Sequence, residues 1–296
     1  MYVRNEKRTS QLRAAIKKGP VALPGAINAL TGKAIEQAGF EGIYLSGAVL
    51  ANSVGGVPDI GLMTLSEAQQ HAASVANVTT MPIVMDADTG FGSSPECVAR
   101  MVYELENAGV SGIHLEDQEF PKRCGHLAGK TLVPVEEFCE KLQAAKQAKG
   151  DPDFLLIART DARGVSGYDD AVDRARKYLQ AGADAIFPEA LQGRDEFARF
   201  AQDVPAILLA NITEFGKTPF LTVSEFGEMG YDIVIFPVTL QRVLMHSAIE
   251  VLKEIKSSGT QKAFVDRMQT RQELYDMLDY EVPAPTHDAA AEGDAE

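Results

Sequence analysis

Four times in this chain an amphipathic stretch closes on a glycine and gives way at once to a new apolar run. The four junctions are Ala38-Gly39-Phe40, Ala108-Gly109-Val110, Ala181-Gly182-Ala183 and Met229-Gly230-Tyr231. A glycine there is a helix stop, because it enters the left-handed region without a Cβ penalty. The junctions divide the chain into alternating units. Short apolar runs are expected as strands at 21–27, 42–46, 82–86, 112–116, 154–159, 185–187, 206–210 and 233–236. Helical patterns follow at 31–38, from Thr64 onward, from Ser94 to Gly109, and at 135–149, 168–181, 194–202, 224–229 and 240–256, with one more before the first strand at 10–18. Thr64 with Glu67 reads as a capping box, and Ser94-Pro95 as an N-cap before an N1 proline. Strands apolar on both faces that alternate with helices imply a parallel sheet. Eight such units imply an α/β fold of the (β/α)₈ TIM-barrel type. A doubly wound open sheet is the alternative, but no Gly-x-Gly-x-x-Gly opens a helix after the first strand, as its dinucleotide-binding form requires. A helical pattern at 262–278 adds C-terminal helices. Residues 1–280 are therefore expected to form one barrel domain with those helices. The segment 281–296 reads as a disordered acidic tail, too poor in apolar residues to fold.

Charge narrows the partners. The 296 residues carry 42 acidic and 28 basic side chains, a formal net charge of -14, which argues against nucleic acid or a membrane surface. No apolar run approaches the roughly 18 residues that span a bilayer. Three cysteines without regular spacing are no disulfide framework, so a reducing, cytoplasmic setting is expected. Cys97 and Cys139 fall in helical patterns, where a small buried hydrophobe is the expected role. Cys124 differs: it lies in Lys122-Arg123-Cys124-Gly125-His126, where cations lower a thiol's pKa towards neutrality.

In a barrel the C-terminal strand ends carry the chemistry. Here strands two to seven deliver Ser46, Asp86 and Asp88, Glu116, Arg159, Glu189, and Asn211 with Thr213, and strand eight leads a few residues on to Arg242. Asp86 and Asp88 are two apart and point the same way if the strand continues. With Glu116 they offer oxygen ligands only, the preference of Mg²⁺ or Mn²⁺. Arg159, Arg242 and Arg271 are carboxylate binders by geometry. Metal and arginines together point to a small di- or tricarboxylate substrate.

The loop Lys122-Arg123-Cys124-Gly125-His126 resembles the signature of the isocitrate lyase/phosphoenolpyruvate mutase superfamily, in its cysteine-bearing lyase branch. Arginine before the cysteine, Asn211-Ile212-Thr213-Glu214-Phe215-Gly216 and Met268-Gln269-Thr270-Arg271 are similar to the methylisocitrate lyases of that branch. Ala48, in Ser46-Gly47-Ala48, stands where the family usually has a second glycine. The resemblance spans about residues 10–280. It implies a Mg²⁺-dependent carbon–carbon lyase of propionate catabolism, in the methylcitrate cycle, cleaving 2-methylisocitrate to pyruvate and succinate. It also implies a homotetramer that exchanges C-terminal helices between paired subunits. By position it makes Asp86, Asp88 and Glu116 the metal site. Ser46, Gly47, Ala48, Cys124, Gly125, Arg159, Glu189, Asn211, Thr213, Arg242 and Arg271 become substrate contacts. Cys124 becomes the acid that protonates carbon, His126 and Arg159 stabilise developing charge, and Tyr44 is the expected base. Sister activities on isocitrate, dimethylmalate or oxaloacetate, and a non-catalytic carboxylate-binding barrel, are the alternatives.

Overall fold

The computed structural model describes residues 3, 5–123, 125, 129–216 and 218–281. Eight parallel strands alternate with helices and curl into a barrel. They are β1 (Val21–Pro24), β2 (Ile43–Leu45), β3 (Ile83–Asp86), β4 (Gly112–Glu116), β5 (Leu155–Thr160), β6 (Ala185–Pro188), β7 (Ile207–Asn211) and β8 (Ile233–Phe236). Neighbours pair in order from β2 through to β8, and β8 pairs with β1. A parallel bridge between Gly25 and Tyr44, with the Ala26 N–H donating to the Tyr44 carbonyl at 2.9 Å, closes the ring between β1 and β2. Gly25 allows this closure, since a Cβ there would strike the Pro237 carbonyl.

Side chains alternate along each strand between the barrel interior and the surrounding helices. Leu155 and Ile157 of β5 join an inner cluster with Val21, Leu23, Val84, Leu209 and Ile233. Leu156 and Ala158 join the outer layer with the helices. Leu12 and Ile16, from the first helix Arg8–Ile16, belong to the inner cluster. The capping boxes at Thr64–Glu67 and Thr222–Glu225 form, but Ser94 makes no side-chain cap although its helix starts at Pro95. Cys97 is exposed and Cys139 half-buried, so neither is the buried hydrophobe expected. No described helix is long and apolar enough to cross a membrane.

The described residues up to Ala248 form one compact unit, and those from Ile249 a second. Helix Thr239–Ser258 runs from the first into the second. The pattern at 262–278 is two helices: a 3₁₀ turn Lys262–Arg267, then an α-helix Arg271–Met277. The break has a local cause. Thr270 and Glu273 form a capping box, which starts a new helix instead of continuing the old one. The acidic tail lies, from residue 282, outside the described residues.

Candidate active site

Register builds the mouth of the barrel. It sets Asp86 opposite His114 and Glu116 opposite Arg159. All four lie at inward positions and all are buried. Asp88 reaches the same place by a different route than continued strand. β3 ends at Asp86, and Asp88 sits in the left-handed region at φ 46°. Its N–H donates to Asp86 Oδ1 at 3.1 Å. Both carboxylates then meet above Gly47, where a Cβ would come within 3.0 Å of Asp86 Oδ2 and 3.1 Å of Asp88 Oδ1. The Gly47 N–H itself donates to Asp86 Oδ2 at 3.2 Å.

A cavity of about 330 Å³ opens at this mouth. Of the residues expected from sequence, it is lined by Tyr44, Ser46, Ala48, Asp86, Gly125, Arg159, Glu189, Asn211, Thr213 and Arg242. Asn211 Nδ2 donates to Glu189 Oε2 at 3.3 Å, and Arg242 is held by Glu214 at 2.9 Å. Gly125 packs so closely on Glu189 and Arg159 that a Cβ would collide with both. Arg271 opens a helix of the C-terminal unit and is not among the residues that line this cavity. Cys124 and His126 lie outside the described residues.

Three buried groups at this mouth have no site role in the sequence analysis. Lys122 is 3% exposed, and its Nζ pairs with Asp88 Oδ1 at 2.6 Å and with Asp59. His114 Nε2 is 2.7 Å from the Tyr44 hydroxyl, and its Nδ1 is 3.7 Å from Asp86 Oδ1. Asp161 grips Arg159 at Nε (3.0 Å) and Nη2 (3.2 Å), and accepts from Lys130 Nζ at 2.6 Å. The available signal was a lone polar residue inside an apolar strand run, as at His114 between Ile113 and Leu115.

The electrostatics follow from this crowding. Burial opposes ionisation of Asp86, but His114, Lys122 and Arg159 outweigh it and hold its pKa at about 2. Burial lowers His114 to about 4 against the pull of Asp86, so at neutral pH the ring is uncharged. Lys122 and Arg159 therefore supply the charge that keeps Asp86 ionised there. Asp88 is raised to about 6 by burial, with Asp86 and Asp59 adding repulsion against Lys122. Burial also drives Glu116 well above the usual carboxylate range, although Arg159 Nη1 lies 3.2 Å from Oε2. Neither Glu116 oxygen accepts a hydrogen bond from the described residues. Burial, then Asp86, raises the Tyr44 phenol well above its ordinary value.

Residues 12–256 match the family model for phosphoenolpyruvate phosphomutase. The chain belongs to that family, within the isocitrate lyase/phosphoenolpyruvate mutase superfamily. A 2-methylisocitrate lyase from Aeropyrum pernix is 49% identical over 270 residues, covering 91% of this chain and 86% of its own. The crystal structure of 2,3-dimethylmalate lyase superposes with a TM-score of 0.87 at 34% identity, covering 93% of this chain and 92% of that one. Phosphonopyruvate hydrolase, crystallised with oxalate and Mg²⁺, gives 0.82 at 31% identity, covering 92% and 95%.

Proposed function

We propose that the protein is a Mg²⁺-dependent carbon–carbon lyase that cleaves 2-methylisocitrate to pyruvate and succinate. One observation carries the reading. Register sets Asp86 beside His114 and Glu116 beside Arg159, all four buried at the mouth where Asp86 and Arg159 line the cavity, in a chain nearly half identical to a 2-methylisocitrate lyase.

The residues fit a divalent cation. Among the described residues no group of three or more His, Cys, Asp or Glu side chains holds a metal by itself. Mg²⁺ does not need one, since it keeps several waters and takes one or two carboxylates plus substrate oxygens. Asp86, Asp88 and Glu116 would hold it, directly or through water. The Glu116 oxygens, which accept no hydrogen bond from the described residues, and the carboxylate pair above Gly47 support this. When bound, Mg²⁺ would supply Lewis acidity toward the substrate's hydroxyl and carboxylate oxygens.

The chain's own groups do the proton work. Tyr44 takes the hydroxyl proton as its own phenolic proton shifts to the neutral His114 2.7 Å away. The C–C bond then breaks, one fragment becoming the ketone and the other a carbanion delocalised into its carboxylate. Arg159, with Asn211, Thr213 and His126, offsets the negative charge. Cys124 protonates the carbon to give succinate. Arg242 and Arg271 hold the remaining carboxylates, with Ser46, Gly47, Ala48, Gly125 and Glu189 shaping the side-group pocket.

We further read the enzyme as a cytoplasmic homotetramer with exchanged C-terminal helices. Helix Thr239–Ser258 buries none of its residues, while Val243, Leu244 and Met245 are exposed. The barrel wall separately keeps an apolar cavity of about 360 Å³ lined by Ile35, Phe40, Val223 and Phe236. Sedimentation would give the subunit count.

The test of function is a substrate panel with Mg²⁺: 2-methylisocitrate, isocitrate, 2,3-dimethylmalate and oxaloacetate. Release of pyruvate and succinate from the first, abolished by EDTA and restored by Mg²⁺, is the expected result. Higher kcat/KM on another acid would replace the substrate reading, and full activity in excess chelator would remove the metal.

A further inference from the structure

Behind the mouth, on the outer face of the barrel wall, lies a carboxylate with no place in the chemistry above. Asp117 follows the last residue of β4 and is fully buried. One strand position after Glu116 it faces outward, as Thr160 does after Arg159. Four donors converge on it. Its Oδ2 accepts from Thr160 Oγ1 at 2.8 Å, Tyr178 OH at 2.8 Å and Arg174 Nη1 at 3.3 Å. Its Oδ1 accepts from the Asp161 N–H at 2.9 Å. The backbone adds two bonds: the Asp117 N–H donates to the Arg159 carbonyl at 3.2 Å, and the Asp117 carbonyl accepts from the Val133 N–H at 3.0 Å.

Two of these partners, Thr160 and Asp161, directly follow Arg159, which faces the cavity. Thr160 sits between Arg159 and Asp161. Asp161 turns back inside to hold Arg159 at two nitrogens, and through Lys130 it reaches the Gly125 carbonyl. Tyr178 and Arg174 belong to helix Tyr168–Ala181, so the clamp also ties the strand ends to a rigid outer element. A buried carboxylate that only stabilised the wall could be replaced by an apolar pair. Here its acceptors are aimed at the hydroxyl and N–H flanking the substrate-binding arginine.

We propose that Asp117 is a positioning residue of the active site: from outside the wall it fixes the Asp161–Arg159 pair inside it. The inference rests on the reading of Arg159 as a carboxylate-binding group. Positional errors of about 1 Å remote from the reacting atoms cost about 10²-fold in rate, and a shift of the guanidinium falls in that class.

The experiment is a double-mutant cycle on the full chain with Asp117→Asn, Asp161→Asn and both together, reading kcat, KM and dicarboxylate binding by calorimetry. Wild-type turnover of 2-methylisocitrate, measured first, tests the substrate reading alone. Succinate binding reports on Arg159 whatever the substrate proves to be. Asp117→Asn is expected to lower kcat/KM by about 10²-fold and to weaken succinate binding. The double variant is expected to lose no more than the worse single one, since both act on one guanidinium. Losses that multiply, or an Asp117→Asn enzyme within threefold of wild type in both readouts, overturn the proposal. If Asp117→Asn does not fold, Tyr178→Phe removes one donor instead, and the same cycle with Asp161→Asn decides by the same criterion.

Discussion

The two halves of the barrel interior use the same strands and the same alternation, yet opposite chemistry. Toward the strand starts, inward positions hold Val21, Leu23, Val84, Leu155 and Ile233. Two or four residues further along, the inward positions hold Asp86, His114, Glu116 and Arg159. The first half lowers the free energy of the folded chain by burying apolar surface. The second half buries carboxylates whose ionisation burial resists. The difference teaches that one sheet can separate stability from reactivity along its strand axis, with register carrying geometry from one to the other. Substitutions in the two halves should therefore affect different measurements.

The largest expected effect lies at the mouth. Asp86→Ala removes a carboxylate that Lys122 and Arg159 hold ionised. Turnover should fall by about 10³-fold, the upper range for losing one preorganised charge partner. The melting temperature should move little, because a repulsive neighbour of Asp88 goes with it. Pyruvate release and thermal melts on the same preparation check this. Unfolding of Asp86→Ala would erase the separation, and it would place the mouth among the elements that hold the fold together.

Leu155→Ala tests the other half. Leu155 is fully buried in the inner cluster, so truncation should cost about 2–5 kcal/mol. Urea unfolding reads the loss, while kcat of the folded fraction should stay within twofold. A large fall in kcat with little destabilisation would show that the apolar half also tunes the site.

How far each half was legible in the sequence follows the same division. The apolar half announces itself by doubled hydrophobic runs and glycine stops, and all eight strands lie within a few residues of their expected places. The polar residues at strand ends were legible one by one. Their partners were not, because those arrive from distant segments or by unusual backbone. Asp59 reaches Lys122 from 63 positions away. Asp88 returns to Asp86 by a left-handed turn that no residue type there demands. In sequence His114 only interrupts an apolar strand, and it is register that sets it beside Asp86 and within 2.7 Å of the Tyr44 hydroxyl. Nothing local shows that Asp117 and Thr160, each one position beyond a residue of the mouth, meet outside the wall.

In the proposed mechanism, Cys124→Ser separates charge handling from proton delivery. The hydroxyl is a far weaker acid than the thiol, so turnover should drop by about 10²-fold, the scale of a lost general acid. Binding of succinate should hold within a few fold, since arginines and carboxylates are untouched. Near-normal turnover would move the carbon protonation to another group.

The smallest effect concerns pH and joins the two halves at Asp161. Burial alone would raise this carboxyl, but Arg159 and Lys130 outweigh it and hold it below its ordinary 3.8. In the unfolded chain the same group titrates near that ordinary value. Above it, both states are ionised and the native pairing contributes in full. As pH falls below it, the unfolded chain takes up the proton first, and the contribution is lost down through the native pKa. Asp161→Asn cannot titrate, so it isolates the contribution. The stability gap between wild type and Asp161→Asn should be level from pH 8 to about pH 5. Below 3.8 it should shrink, by at most about 1.4 kcal/mol per pH unit. Urea titrations at half-unit steps down to pH 3 measure the gap directly. A gap that widens on acidification would mean that Asp161 carries its proton in the native state, and that the ionic hold on Arg159 comes from Glu189 instead.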